Sequence, residues 1–449
     1  MALPIHGVSK WKRPALCWLA CFLVTCGSLL AEQQLVIISP HWEGARIEFA
    51  RAFSDWHRAK YGESVHIDWR EVGGTSDIIR FIRSEFAQRP DGIGIDMLFG
   101  GGTDPYLELQ KLGVLASYRP PEEILSKVPS TVGGVPVYDP GFQWFGSALT
   151  TFGIEKNKRV VEIMKLPDVH AWNDLTDSHL FGWVGSGDPR NSGSVLMMYE
   201  IILQGYGWEK GWEIITKMAG NIRNYNKASS DTAKDGTLGE VAYALAVDFY
   251  ALTQVAGAGA ENMAFVMPND QTVVNADGAC ILKGAPNLTI AQHFLNFMLS
   301  EDGQKLWMLP RGYPGGARQF SIERMGILPD LYERYRDVTV VKTNPFALPV
   351  TFQYDAKKGG ARRNVLSALI GATLIDVHEE VKSAWQSLIR RGMPADWMKR
   401  YCEIPLTEDE AMKMATEQWK NAKFRNRQQI EWQKWAARKF ETVVSSEVR

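Results

Sequence analysis

The 449-residue sequence predicts an α/β protein of two lobes with a helical C-terminal extension. Short β-rich runs alternate with glycine turns and amphipathic helices from residue 34 onward, a pattern typical of parallel sheets with crossover helices. A long apolar segment, 142–154, carries no helix start signal and predicts an extended strand that leaves the first lobe for the second. From about residue 331 the chain becomes rich in tryptophan and charge, with apolar residues at helical spacing.

The first lobe is predicted from three strand–turn–helix units. Residues 34–39 form a β-rich run, after which Phe49 and Phe53 begin a helical stripe of apolar side chains. Strands predicted at 65–69 and 96–99 are each followed by a glycine turn and a helix. This repeated order places the ends of several strands beside glycine-containing turns.

The second lobe is predicted to contain a turn-rich segment, 182–194, that leads into a helix, and a further helix over 239–254. A strand pair at 263–267 and 271–274 is separated by a Pro-Asn-Asp turn. Strands that return after an inserted lobe indicate two chain crossings and a hinge. The predicted division is a signal peptide at 1–31, the first lobe at 32–145, the second lobe at 146–260, the return of the first lobe at 261–330 and the helical extension at 331–449.

The composition is that of an ordinary globular protein. Hydrophobic residues make up 45% of the chain and charged residues 22%, which is too apolar for a disordered chain. Basic and acidic residues nearly balance at a net charge of −1, so no broad basic field is available. We therefore expect no nucleic-acid partner.

The N-terminus has the pattern of a signal peptide. Lys10, Lys12 and Arg13 precede an uncharged apolar stretch at 15–31. Because that stretch is shorter than the ~20 residues that comfortably cross a bilayer, we predict export to the periplasm or the cell exterior rather than a membrane anchor. An uncleaved anchor and lipid attachment at Cys26 are the alternatives.

The cysteines are compatible with export. Cys17, Cys21 and Cys26 lie in the predicted leader, which leaves Cys280 and Cys402 in the mature chain. Two cysteines can form one disulfide or stay as free thiols, but they cannot build a structural zinc site.

Three loops rich in glycine and hydroxyl side chains each precede a predicted helix, at 73–76, 101–103 and 191–194. Unpaired backbone N–H groups at a helix start carry partial positive charge, and small residues let a ligand approach them. Such loops bind anions or polar oxygen atoms. The same residues also cap helices and form turns where no ligand binds. Because all three follow predicted strands, where α/β sheets place their ligands, both interpretations stay open.

The charged and aromatic candidates for a site lie near these loops. They are His41, Glu43, Asp188, Arg190, Asp231, Glu240, Asp248 and Tyr250. His41 and Glu43, two residues apart on a loop, suit either ligand contact or a metal ion, and Tyr250 is a further metal candidate. Signatures of serine hydrolases, zinc proteases and P-loop enzymes are absent from the sequence. We therefore expect a protein that is not an enzyme and has no cofactor of its own.

The last predicted helix, at about 419–440, interleaves tryptophan and phenylalanine with basic residues. The basic residues are Lys420, Lys423, Arg425, Arg427, Lys434, Arg438 and Lys439. One interpretation is a solvated cationic face whose aromatic side chains pack against the body. The other is a surface that docks on a membrane or a partner.

The order of several motifs resembles the extracellular solute-binding proteins of ABC importers, in the branch shared by binders of ferric iron, sugar phosphates and phosphonates. The similarity covers roughly 35–316. The motifs are Gly100-Gly101-Gly102-Thr103-Asp104, Trp144-Phe145-Gly146, Gly187-Asp188-Pro189 through Ser192-Gly193-Ser194, Asp248-Phe249-Tyr250-Ala251, and the run from Phe294 to Gln304.

This resemblance implies a periplasmic binding protein of type II, in which two lobes close on a ligand about crossing strands near 145–154 and 256–265. Its implied partners are a small solute and an ABC permease in the inner membrane, and it implies a monomer. The implied ligand residues are His41, Thr75, Ser76, Gly102, Thr103, Asp188, Ser192, Gly193, Ser194, Ser230, Asp231 and Asp248. Glu43 is added from its position beside His41.

The solute implied by the resemblance is small and either anionic or bound to a metal. Ferric binders of this branch commonly use neighbouring tyrosines, whereas here Phe249 precedes the lone Tyr250. The hydroxyl and glycine residues of the loops therefore fit a phosphorylated or carboxylated solute better than iron. Two alternatives are a secreted enzyme that uses carboxylates of the cleft and an envelope interaction protein that acts through the cationic C-terminal helix.

Overall fold

A computed structural model describes residues 33–269, 271–348 and 352–445. The predicted signal peptide and Cys26 lie outside the described residues. Within the described ranges, the helices are each too short or too polar to cross a membrane.

The first part of the chain forms the βα units that the sequence predicts. Its elements are β1 (Gln33–Ile38), α1 (Glu43–Tyr61), β2 (Val65–Arg70), α2 (Thr75–Gln88), β3 (Met97–Phe99), α3 (Thr103–Lys111), α4 (Glu122–Leu125), the hairpin β4 (Thr131–Val132) and β5 (Val135–Pro136), and β6 (Phe145–Thr150). β1 pairs in parallel with β2 and β3. α1 buries Phe49 and Phe53 because their spacing places both on the face toward the sheet.

The second lobe follows directly. Its elements are β7 (Phe152–Asn157), α5 (Lys158–Met164), β8 (Val184–Gly187), α6 (Gly193–Tyr206), α7 (Trp208–Asn221), β9 (Ile222–Asn226), α8 (Ser229–Leu238), β10 (Tyr243–Val247), α9 (Asp248–Ala258) and β11 (Met263–Val266). Its five-stranded sheet has the order β11-β7-β10-β8-β9, in which β7 runs antiparallel to both neighbours.

The chain then returns to the first lobe. The returning elements are β12 (Asn275–Ile281), α10 (Leu288–Leu299), α11 (Glu301–Met308) and α12 (Pro329–Arg334). β12 lies between β3 and β6, antiparallel to both, and completes a sheet of order β2-β1-β3-β12-β6. The chain therefore crosses between the lobes twice, as the sequence predicts.

The crossings lie a few residues from their expected places. β6 belongs to the first sheet and β7 to the second, so the first crossing is at Thr151, which lies within the expected crossing strand 145–154 but after the expected lobe boundary at 145–146. β11 belongs to the second sheet, so the second crossing lies between β11 and β12, after the expected 256–265, and the predicted strand at 271–274 is not one. Strands lie on both sides of each crossing, and distant pairing partners decide which sheet each strand joins.

The predicted helix over 239–254 is wrong in its first half. Residues Tyr243–Val247 form β10, the central strand of the second sheet, and α9 begins only at Asp248. The run Tyr-Ala-Leu-Ala-Val contains helix-forming residues, yet all five are buried. Burial between neighbouring strands overrides the local preference for helix.

The C-terminal extension packs on the second lobe. Its helices are α13 (Ala356–Ile370), α14 (His378–Arg390), α15 (Ala395–Cys402), α16 (Glu408–Lys413) and α17 (Ala422–Ser445). They share one hydrophobic core with the second lobe, in which Trp385 Nε1 donates to Asn221 Oδ1 at 2.7 Å. Leu331, Tyr332 and Val341 instead pack in the first lobe. The extension proper therefore begins at about 356, later than the expected 331.

Helix α17 presents its apolar stripe to the protein body. Trp432, Ala436, Phe440 and Val443 are buried in the shared core. Lys439 is buried as well, and its Nζ donates to the carbonyls of two residues near the end of α15 at 2.8 and 3.0 Å. Burial lowers the pKa of Lys439 to about 7. This packing favours the interpretation of a solvated cationic face.

The two described cysteines are free thiols. Cys280 lies on β12 inside the first lobe, and Cys402 ends α15 beside the second. The alternative of two separate thiols therefore holds for this structure.

Candidate functional site

A cavity lies between the two lobes. Part of its space is open to solvent. Side chains of the first lobe, the second lobe and the C-terminal extension all line it. A neighbouring pocket continues this space and shares Pro40, Thr75, Gly193, Ser194 and Tyr250 with it. We call the two together the cleft.

The three predicted loops meet at this cleft. Thr75, Gly102 and Gly193 line the cavity at the N-terminal ends of α2, α3 and α6. Gly101 has φ +94°, and a Cβ there would stand 2.6 Å from Thr75 Cγ2, so the loop needs glycine to bring these two turns together. The positive ends of three helices thus face one space.

The lobes also touch each other beside the cleft. Nη1 of Arg80 in the first lobe donates to the carbonyl of Arg190 in the second at 2.9 Å. A Cβ on Gly74 would lie 2.7 Å from the carbonyl oxygen of Asn191. The structure therefore has its lobes closed on one another.

Many of the sequence-predicted ligand residues line the cleft. These are His41, Thr75, Gly102, Ser192, Gly193, Ser194, Ser230 and Asp231. Tyr250, which was a metal candidate, also lines it. Both lobes contribute to this set, which a ligand that bridges the lobes requires.

Other predicted ligand residues stand behind the cleft. Thr103 is buried and donates from Oγ1 to Asn275 Oδ1 at 2.7 Å, which fixes an amide that lines the cavity. Oγ of Ser76 accepts a hydrogen bond from Arg363. Glu43 is exposed at the start of α1, away from the cleft lining.

Two predicted carboxylates are held by protein partners. Asp188 is paired with Arg190 at 2.7 Å and orders the turn before α6. Asp248 accepts hydrogen bonds from Thr150 Oγ1 at 2.6 Å and from the backbone N–H of Thr151 at 2.8 Å. Burial raises the pKa of Asp248, against the opposing effect of these hydrogen bonds. Asp248 therefore ties the first crossing to the start of α9.

The sequence did not predict two charged residues that line the cavity, Asp277 and Arg324. Arg324 Nη1 lies 2.5 Å from Asp277 Oδ2 and 2.9 Å from Nε2 of His41, and His41 Nε2 is 2.9 Å from the same carboxylate oxygen. All three side chains line the cavity. Only His41 was a sequence candidate. The signal in the sequence was weak, since Arg324 is a single arginine that follows Glu323 between the apolar residues Ile322 and Met325.

The electrostatics of this cluster fix the charges of its members. Burial alone would raise the pKa of Asp277, but Arg324 and His41 hold it well below its usual range. Burial also lowers the pKa of His41, more than Asp277 raises it. His41 is therefore neutral at pH 7, with Nε2 within hydrogen-bonding distance of both Asp277 and Arg324 and with Nδ1 3.2 Å from Ser39 Oγ.

Arg324 has unused hydrogen-bonding capacity. Its side chain is 2% exposed, yet within the described part of the chain its Nε and Nη2 have no hydrogen-bond partner. Its guanidinium lies 4.0 Å from the ring centre of Phe249 in the second lobe. Because a buried charged donor without a partner is costly, these groups are suited to a charged acceptor in the cavity.

The described residues do not favour a metal site. No group of three or more His, Cys, Asp or Glu side chains among them is arranged to hold a metal ion. Burial raises the pKa of Tyr250 to about 12, so its phenol stays protonated at neutral pH. The hydroxyl is then a hydrogen-bond donor in the cleft.

Comparison with known proteins agrees with this geometry. Residues 111–323 match the family of bacterial extracellular solute-binding proteins. The predicted fold is confirmed as that of periplasmic binding proteins of type II. The binding protein AfuA from Actinobacillus pleuropneumoniae has the same fold with a TM-score of 0.62 and 21% identity, covering 77% of this chain and 100% of that one. The matched family is one of extracellular solute-binding proteins, and the fold is shared with periplasmic binding proteins.

Two curated relatives share part of the sequence. An uncharacterised protein of Haemophilus influenzae is 28% identical over 218 residues, which are 47% of this chain and 60% of the relative. The phosphoglycerate transport regulatory protein PgtC of Salmonella typhimurium is 25% identical over 171 residues, 35% of this chain and 39% of that protein. This chain thus spans 60% or less of the length of the curated relatives it matches.

Proposed function

We propose that this solute-binding protein is the substrate-binding component of an ABC importer in the bacterial cell envelope. It captures a small anionic solute, with a phosphate group as the principal recognised feature, by closing its two lobes, and it delivers the solute to a permease in the inner membrane. The predicted signal peptide supports an exported location.

One observation carries this proposal. The buried Arg324 presents two guanidinium donors without a partner among the described residues, at a cavity that the N-termini of α2, α3 and α6 also face. Arginine and helix N-termini are the groups that proteins use to bind phosphate oxygens. Arg324 belongs to the first lobe and α6 to the second. A solute that contacts both therefore favours the closed arrangement of the lobes.

The printed names of related proteins support a phosphorylated solute. The AfuA structure was determined with fructose 6-phosphate bound, and PgtC is named for phosphoglycerate transport. Both compounds join a phosphate ester to a short polar carbon chain. The hydroxyl groups of Ser194 and Tyr250 in the cleft suit the polar part of such a molecule.

The proposal is tested by binding and by compaction. We expect titration calorimetry to detect binding of 3-phosphoglycerate or fructose 6-phosphate, and small-angle scattering to show a smaller radius of gyration with the bound compound. Glycerate and fructose, which lack only the phosphate, are the matched controls and should not bind. Binding of ferric ion but of none of the phosphorylated compounds would contradict the proposal.

The enzyme alternative finds little support in the cleft. Its candidate carboxylates are Asp188, Asp231 and Glu240, but Asp188 is paired with Arg190, and Glu240 is exposed and paired with Arg223. They do not form a cluster of acid and base. A second functional class is therefore not proposed.

Closure predicts a specific effect at Gly74. Substituting Gly74→Ala places a methyl group 2.7 Å from the carbonyl oxygen of Asn191 across the cleft, and a backbone oxygen can move away only if the lobes separate. We expect about tenfold weaker binding of the phosphorylated probe by calorimetry, and a larger radius of gyration at saturation than in the wild type. The fold should tolerate alanine because φ at Gly74 is −71°.

The matched control is Gly257→Ala. Gly257 lies in α9, and a Cβ there meets no atom within 4 Å. This variant should bind the probe like the wild type. If Gly74→Ala also binds within twofold of the wild type, the closed contact between these turns is not part of solute capture.

A further inference from the structure

The C-terminal extension contributes a side chain to the cavity. Arg363 lies on α13, outside the residues that match the family, and it lines the cavity between the lobes. Its Nη2 donates to Ser76 Oγ at 3.1 Å and is 3.0 Å from the place where a Cβ on Gly193 would stand. The guanidinium therefore sits between the first turn of α2 and the first turn of α6, one in each lobe.

The neighbouring residue fixes α13 to the second lobe. Arg362 is fully buried, and its Nη2 donates to Oε1 of Glu200 on α6 at 2.7 Å, while Nη1 pairs with Glu408 on α16. This double pairing holds the backbone at 362 and 363. Arg363 is thus presented to the cavity by a rigid helix and not by a mobile tail.

Among the described residues, Arg363 forms no ion pair within 4.0 Å of a carboxylate, although its charge acts on Asp104 electrostatically. Its recorded hydrogen bond in the described structure goes to the neutral hydroxyl of Ser76. The nearest acidic residue that lines the cavity, Asp104, accepts instead from the hydroxyl of Tyr354 at 3.0 Å. Burial raises the pKa of Asp104 to about 6, although Arg363 and Tyr354 act to lower it. A 7%-exposed guanidinium in this position is suited to an anionic group of a ligand.

Arg324 and Arg363 occupy different walls of the cavity. Arg324 contacts His41, Asp277 and Phe249. Arg363 instead contacts Ser76 and lies against Gly193. Two buried cations with different surroundings can each hold one anionic group of the same small molecule.

We infer that Arg363 makes the C-terminal extension a third wall of the solute site and selects solutes that carry a carboxylate in addition to a phosphate. The inference rests on the proposed function, because it assigns a second contact to the same solute. It places the extension, for which the family match offers no role, in direct contact with the ligand.

The test compares two probes that differ in one group. 3-Phosphoglycerate and glycerol 3-phosphate both join a phosphate to three carbons, but only the first has a carboxylate. We expect the full-length wild type to bind 3-phosphoglycerate at least roughly 30-fold more tightly by calorimetry. Arg363→Gln should lose that preference and bind both probes with similar, weak affinity, while Arg363→Lys should keep part of it.

The controls separate ligand contact from folding. Arg427→Gln changes an exposed arginine of α17 and should leave both affinities unchanged. An equal loss for both probes in Arg363→Gln, or an unchanged preference, would overturn the inference. If the wild type binds neither these two probes nor fructose 6-phosphate, the proposed function itself fails. A wild type that binds both probes equally refutes the inference alone.

Discussion

Substituting Arg324→Gln is expected to abolish solute binding, with an affinity loss of about 100-fold or more by calorimetry. Charge-assisted hydrogen bonds from a buried guanidinium contribute roughly 1.5–3 kcal/mol each, and Nε and Nη2 of Arg324 are the donors that the described protein leaves free for a ligand. The same substitution also leaves Asp277 buried with only His41 beside it. Part of the effect of glutamine therefore reflects lost stability.

A second variant isolates the binding role. Arg324→Lys keeps a positive charge beside Asp277 but cannot reproduce the planar set of donors. We expect at least tenfold weaker binding, with a melting temperature close to that of the wild type. Arg318→Gln, an exposed arginine six positions earlier in the sequence, is the control and should bind normally. Wild-type affinity in Arg324→Lys would show that Arg324 does not contact the solute.

The largest loss of stability is expected for Arg362→Met. The side chain of Arg362 is fully buried against Glu200, which is itself 2% exposed. Removing one partner leaves an uncompensated buried charge, which typically costs about 3–5 kcal/mol. Urea unfolding followed by tryptophan fluorescence measures this change. Because α13 joins the extension to the second lobe through this pair, we also expect weaker solute binding.

The double variant Arg362→Met, Glu200→Gln provides the decisive comparison. It removes both charges, so it should recover at least half of the lost free energy of unfolding. Arg400→Met breaks an exposed ion pair with Glu403 on α15 and should change stability by less than about 1 kcal/mol. If Arg362→Met itself lowers the free energy of unfolding by less than about 1 kcal/mol, the Arg362–Glu200 pair does not anchor the extension.

Local patterns predicted most of the fold. Alternating strand, turn and helix signals place β1 to α3 within a few residues, because each element's periodicity is carried by its own side chains. The boundaries between the lobes were less well predicted. Each crossing lies between two strands, and membership in a sheet depends on partners that are more than a hundred residues away in the case of β6 and β12.

The sequence predicted the polar loops of the cleft but not its two arginines, Arg324 and Arg363. The turns at Thr75, Gly102 and Gly193 have a local signature, since glycine and hydroxyl residues at helix starts are recognisable one by one. Arg324 meets Asp277, 47 residues away in sequence, and His41, 283 residues away. Such pairs arise only from the folded topology, so a single sequence offers no means of linking them. The contact of Arg363 with the cavity was not predicted for the same reason, since Arg363 lies on α13 of the extension.

The hydrogen bonds of Asp248 determine which contacts change least when the lobes move. Asp248 accepts hydrogen bonds from Thr150 and Thr151 at the first crossing. The next residue, Phe249, lies over the guanidinium of Arg324. Points beside a pivot travel the shortest distance during a rotation. We therefore expect the ring and the cation to stay near each other while more distant rims part, so that an arriving solute meets an anchoring charge that is already oriented.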